Sequence, residues 1–367
     1  MAAALLLCGC ARPDAETADA TGIRFLSQMP AGQPFERAVN PREFEFPRDH
    51  GLHPGFATEW WYFTGNLSTA SDRHFGFELT FFRYALAAAA VDRSSRWGSN
   101  QVWLAHFALT DTRNERFLTA ERMGRGALGI AGSQDDSLSV HVRDWSAKAS
   151  DDGTTIQLEA ESADAAISLT LSNPAPVALH GDRGLDRKGA DPGNASYYYS
   201  IPRMSVTGSI RPGTEMPVEV TGTAWLDREW ATSSLDEGVE GWDWFSLQLD
   251  DGTNLMLYRL RNTDGSMNEF STGTVMYPDG TTARLAPDAV KYDMTDRWRS
   301  PASRVSYPIA WQIDIPQLNL ALSVAARIPN QEFNLGLRYW EGAVSVTGTA
   351  QNQEISGVGY LELAGYQ

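Results

Sequence analysis

Four segments of this chain occur twice, in the same order. Trp60-Trp61-Tyr62-Phe63-Thr64-Gly65-Asn66-Leu67 aligns with Trp242-Asp243-Trp244-Phe245-Ser246-Leu247-Gln248-Leu249. A turn and a second run ending in arginine follow each, at Arg83 and at Arg261. Ser205-Val206-Thr207-Gly208 then aligns with Ser345-Val346-Thr347-Gly348. Last, Gly222-Thr223-Ala224-Trp225-Leu226-Asp227 aligns with Gly357-Val358-Gly359-Tyr360-Leu361-Glu362. Self-similarity at this spacing marks one structural unit used twice, so each half opens and closes with related segments.

Those segments read as strands. Thr155-Ile156-Gln157-Leu158-Glu159-Ala160 and Ile167-Ser168-Leu169-Thr170-Leu171 alternate apolar and polar residues, the period of a strand with one wet face. Asp-Gly pairs at 152–153, 251–252, 264–265 and 279–280 supply hairpin turns between such runs. Many short strands at turn spacing predict an all-β protein of sandwiches or barrels. In an up-and-down barrel the first and last strands pair to remove free edges. The repeat then places one barrel at 42–234 and a second at 235–367, and a chain of 367 residues is long enough for two cores.

A formal charge of −16 excludes nucleic-acid backbones as partners, because their recognition needs a basic face. The two cysteines, Cys8 and Cys10, stand in the first ten residues, so the body holds no disulfide and no thiol chemistry. Residues 1–10 read as a signal peptide: a short apolar run ends in Leu7-Cys8-Gly9-Cys10, which resembles a bacterial lipobox with Cys10 as the acylated residue. Residues 11–41, rich in Ala, Asp, Thr, Gly and Pro, suit a flexible tether. The expected setting is a bacterial envelope, with the protein periplasmic and lipid-anchored, or else secreted.

Across nearly the whole body, specific motifs accumulate. His53-Pro54-Gly55-Phe56 with Glu59-Trp60-Trp61-Tyr62-Phe63-Thr64-Gly65, then Phe75-Gly76-Phe77, Phe81-Phe82-Arg83 and Trp103-Leu104-Ala105-His106-Phe107 form one group. Tyr198-Tyr199-Ser200, Trp225-Leu226-Asp227-Arg228-Glu229-Trp230 and Gly241-Trp242-Asp243-Trp244-Phe245 form another. Tyr307-Pro308, Tyr339-Trp340-Glu341-Gly342 and Gly359-Tyr360-Leu361-Glu362 complete the set. Together they resemble the AttH and carotenoid 1,2-hydratase family. The resemblance implies two tandem lipocalin-like (calycin) antiparallel barrels. The family includes hydratases of isoprenoid side chains, fungal cyclisation catalysts and bacterial lipoproteins associated with ABC-type exporters. Fold alone does not transmit a reaction.

Hydrating an isolated double bond needs a carboxylic acid with a raised pKa in a dry pocket, and aromatic faces to shelter the cation. Asp227 and Asp243 lie among Trp225, Trp230, Trp242 and Trp244, with Tyr258 on the next strand, so these three are the catalytic candidates. Trp60, Tyr62, His106, Trp230, Trp242 and Trp244 are the expected walls of an apolar ligand site inside a barrel. Alternation puts Trp225, Asp227 and Glu229 on one strand face and Leu226, Arg228 and Trp230 on the other. A structural alternative reads Asp227, Glu229, Arg83 and Arg259 as one buried ionic set holding the barrels in register. In the carotenoid hydratases the stretch matching 227–230 carries a functional histidine. Arg228 stands here instead, which weighs against hydratase activity. Asp49, His50 and His53 cluster in a loop that no second group of ligands reaches, so no metal is expected, and no cofactor fingerprint occurs. The leading expectation is an envelope protein that binds an apolar, isoprenoid or lipid-like molecule in a barrel and works alongside an ABC-type export system. Hydro-lyase or cyclisation chemistry is the alternative.

Overall fold

A computed structural model describes residues 34–88, 95–233 and 235–367, so Cys10 and the lipobox lie outside the described residues. Two antiparallel sheets make up the body. In the first, the opening strand Thr58–Ser68 pairs with His74–Ala85 on one side and with the closing strand Val218–Ala231 on the other. In the second, the opening strand Val239–Leu249 pairs with Asn254–Asn262 and with the closing strand Gln353–Ala364. The penultimate long strands, Ala195–Pro212 and Arg338–Ala350, lie beside the closing ones. Both sheets therefore wind the same way around their opening strands, as the sequence repeat requires.

They differ in closure. In the first, Arg143 Nε donates to Met123 O at 3.0 Å and the Arg122 guanidinium lies over Trp145 at 4.8 Å. These contacts draw the edge strand Arg116–Arg125 back against the far edge, and the barrel nearly closes. The second remains a half-barrel. Its edge strand Lys291–Arg299 carries Lys291, Asp293, Asp296, Arg297 and Arg299 and is exposed along most of its length, a pattern that resists further pairing.

Strand alternation decides what each face meets. Trp61 and Phe63 point into the first barrel, where they pack with Phe75, Phe77, Phe81, Trp103 and Trp145. Phe245, Leu247, Leu257, Trp311 and Trp340 fill the second in the same way. Side chains thus occupy both interiors. The opposite faces of the same strands, with Tyr62, Tyr198, Trp225, Trp244, Tyr258 and Tyr360, form a third cluster between the sheets. Asn66 Nδ2 donates to Gly359 O at 3.1 Å and Thr223 Oγ1 to Gln248 Oε1 at 2.6 Å across this junction. At Gly76 a Cβ would come within 2.6 Å of the Ala343 Cβ, so only glycine permits this approach.

Residues before the first strand plug one end of the first barrel through an ionic core. Glu59, wholly buried, receives Arg228 Nη2 at 2.6 Å and Arg83 Nη2 at 3.1 Å. The Arg228 guanidinium also lies 3.8 Å from the Trp61 ring centre. His53 stacks on Trp230 at 3.7 Å and its Nε2 lies 3.1 Å from Asp49 Oδ1, while His50 pairs with the Tyr199 hydroxyl at 2.5 Å. The Asp49–His50–His53 cluster is thus part of this plug.

Candidate active site

A cleft of about 150 Å³ opens between the sheets, bounded by the outward faces of both opening and both closing strands. The expected site inside a barrel is corrected on this point: apolar side chains fill both interiors, and this cleft lies where the two halves meet. Trp60 and Tyr62 project into it from the first opening strand, Trp242 and Trp244 from the second. Asp227 and Glu229 enter from the first closing strand, Glu362 from the second, and Tyr339 and Glu341 from the penultimate strand of the second half. The walls are aromatic, but the polar groups between them are mostly carboxyls.

Asp227 is held by neutral donors alone. The Tyr198 and Ser200 hydroxyls donate to its two oxygens, and Trp225 Nε1 donates to Oδ1 at 2.6 Å. Burial raises its pKa to about 7 in spite of these donors, because desolvation penalises the anion more than they reward it. Behind Ser200 stands His180, whose Nε2 is 2.6 Å from Ser200 Oγ and whose Nδ1 is 2.8 Å from Thr274 Oγ1 in the second half. Burial lowers the His180 pKa to about 3, so the ring is neutral. Ser200 gives its one proton to Asp227, so Nε2 carries the ring proton and Nδ1 accepts from Thr274. A directed chain of donors then ends on Asp227.

Facing it, Glu362 accepts Trp242 Nε1 at 3.0 Å, yet burial lifts its pKa to about 8, aided by Asp227 and Glu229. Glu341 is raised well above the carboxylate range by burial and then by Glu78 and Glu362. Lys188 is the sole basic residue among the described lining residues. Its Nζ lies 2.6 Å from Asp186 Oδ2, 3.4 Å from Glu229 Oε1 and 4.0 Å from the Tyr258 ring centre. Burial would lower its pKa, but Asp186 and Glu229 outweigh burial and keep it charged.

The profile of the AttH-like family matches residues 37–366. The chain belongs to the AttH-like family. A crystal structure of an AttH from Nitrosomonas europaea superposes with a TM-score of 0.81 at 33% identity, covering 90% of this chain and 99% of that one. Dehydratase asqC of Emericella nidulans is 24% identical over 228 residues, which is 58% of this chain and 62% of that protein. Kievitone hydratase of Fusarium solani subsp. phaseoli is 25% identical over 177 residues, 46% of this chain and 49% of that one. The chain thus spans about three fifths and about half of the length of these two relatives. Homologues of this AttH-like protein therefore include proteins named for adding or removing water.

Within this frame, the structure sorts the sequence candidates. Asp227, Tyr258, Trp60, Tyr62, Trp242 and Trp244 converge on the cleft. Asp243 does not. It points into the second half, where Arg259 Nη1 lies 2.6 Å from Oδ2, Arg261 Nη1 2.5 Å from Oδ1, and the Tyr366 hydroxyl donates to Oδ1 at 2.8 Å. The one ionic set read from Asp227, Glu229, Arg83 and Arg259 is in fact separate: Arg83 serves Glu59, Arg259 serves Asp243, Glu229 serves Lys188, and Asp227 has no cation. Replacing Asp243 by Asn leaves two arginines half-compensated, so we expect a loss of about 3 kcal/mol in denaturant unfolding with an unaltered ligand site.

Trp230 faces the first barrel and stacks on His53, so it is no wall of the cleft. His106 stands one layer behind the cleft, 2.6 Å from the Tyr339 hydroxyl and 3.2 Å from Glu121 Oε2. Sequence reasoning assigned no role to Lys188, Ser200, Glu341 or Glu362. The repeat held a signal for one of them: Glu362 aligns with Asp227, and both carboxyls reach the same cleft.

Proposed function

We propose that the cleft performs hydro-lyase chemistry on an unsaturated, largely apolar substrate, with Asp227 as the group that exchanges a proton with substrate carbon. The observation that carries this reading is a fully buried carboxyl, held only by neutral donors, opening into an aromatic cavity. Protonated Asp227 gives its proton to one alkene carbon, and the electron pair of the double bond forms the new C–H bond. The positive charge left on the neighbouring carbon lies among Trp60, Trp242 and Trp244, whose rings stabilise it. Water adds its oxygen to that carbon and loses a proton to the Asp227 carboxylate that the first step leaves, since Glu362 holds its own proton more tightly. Dehydration runs the same steps backwards. One carboxyl that gives and retakes the proton serves either direction.

The histidine missing at position 228 weighs less than the sequence reading holds. Arg228 lies on the barrel face of its strand, bound to Glu59, and so does not take a place in the cleft. The names of the two curated relatives support the reaction class. Incubating the protein with terminal isoprenoid and prenylated phenolic alkenes in oxygen-labelled water tests it. We expect one substrate to gain labelled hydroxyl, and no incorporation across the panel would refute the reading.

A further inference from the structure

We infer that the cleft between the halves is a binding site for an organic cation with an apolar skirt, such as a tertiary or quaternary ammonium. The inference goes beyond the hydro-lyase reading and stands without turnover. Asp227, Glu341 and Glu362 all line the cleft and are 3% or less exposed, or partly covered in the case of Glu362. None of the three is ion-paired with lysine, arginine or histidine among the described residues. Lys188 cannot balance them, because it is already committed to both Asp186 and Glu229.

Glu341 is the sharpest case. It is wholly buried, and neither carboxyl oxygen receives a well-directed hydrogen bond, although the Tyr62 and Tyr339 hydroxyls stand beside it. Behind it lies Glu78, equally buried. Carboxyls in such surroundings stay neutral or require a positive partner, since an uncompensated buried charge is very costly. Their raised pKa values agree with that want of a partner. A sugar-like ligand could stack its C–H faces on the rings (Trp60, Tyr62, Trp242, Trp244, Tyr258 and Tyr339) and hydrogen-bond the carboxyls, but would bring them no counter-charge. A metal ion would require clustered ligands, and among the described residues no group of three His, Cys, Asp or Glu is arranged to hold one. An alkylated ammonium satisfies both demands at once: the rings attract its charged methyl groups face-on, and the carboxyls supply the counter-charge.

The test compares phenyltrimethylammonium with tert-butylbenzene, its neutral carbon isostere, titrated into the folded full chain and followed by tryptophan fluorescence. Trp60, Trp242 and Trp244 line the cleft and report directly. We expect the cation to bind about tenfold tighter or more, roughly one cation–π contact plus a counter-charge. Glu341→Gln should reduce that preference severalfold without changing the affinity for tert-butylbenzene. Glu362→Gln serves as the second variant if the first does not fold. Equal affinities, tighter binding of the neutral compound, binding of neither, or a preference unchanged in both variants would overturn the inference. Absence of labelled-water incorporation would sink only the hydro-lyase reading, so the two failures are distinct.

Discussion

Asp227→Asn is expected to lower the proposed hydro-lyase turnover by about three orders of magnitude, the usual range for a lost general acid–base, while its melting temperature should stay within a few degrees of the parent. The substitution keeps the shape and the oxygen that accepts from Ser200 and Trp225, requires the Tyr198 hydroxyl to turn and accept from the new amide, and removes the proton that the proposed chemistry needs. Its pH dependence is equally specific. The Asp227 pKa rises from 3.8 to about 7 on folding, so the native state holds a proton that the unfolded chain releases. Stability from this group is full below pH 3.8 and declines as pH rises to about 7. The Asn variant lacks this decline and should gain on the parent between pH 4 and 8 in thermal unfolding. A variant that keeps full turnover, or melts far lower, would assign Asp227 to packing.

Glu59→Leu should give the largest loss of stability, about 3–5 kcal/mol, because it strands two buried guanidinium groups. For a chain of this size that is a drop of roughly 4–7 °C in Tm. Burial alone would raise the Glu59 pKa, but Arg228 and Arg83 bring it down from 4.5 to about 2. Its contribution is therefore complete above pH 4.5 and is lost as pH falls toward 2, opposite in sign to Asp227. The parent should show a steep acid limb over that window in its stability profile, and the variant should not. Equal acid limbs would show that the ionic plug is incidental to the fold.

Most of the architecture was legible because it depends on period and repetition. Alternation along 225–230 separates Asp227 and Glu229 from Arg228 and Trp230, and the structure places those two sets on opposite faces of one strand. What alternation cannot show is which face meets a void. Both faces of the opening strands are rich in Trp and Phe, so an aromatic count cannot tell a packed barrel from a cleft beside it. Asp243 misled for a related reason: it neighbours Trp242 and Trp244 in sequence, but odd and even positions diverge. Lys188 and His180 were hidden because they sit in connecting segments that only folding brings to Asp227 and its partners.

Because the halves meet through equivalent strands, Asp227 and Glu362 hold matching positions, each paired with the matching residue of its opening strand, Tyr62 and Trp244. In a dimer of identical barrels those two carboxyls would be interchangeable and would titrate as a matched pair. Each would be donor and acceptor by turns, with no preferred side of the substrate. Joining both copies in one chain lifts that constraint. One position has become an aspartate caged by hydroxyls, and the other a glutamate beneath an indole. Carrying both copies in one chain thus gives the site two unlike walls, so that a flat, unsaturated substrate of the proposed kind would meet a different face on each side.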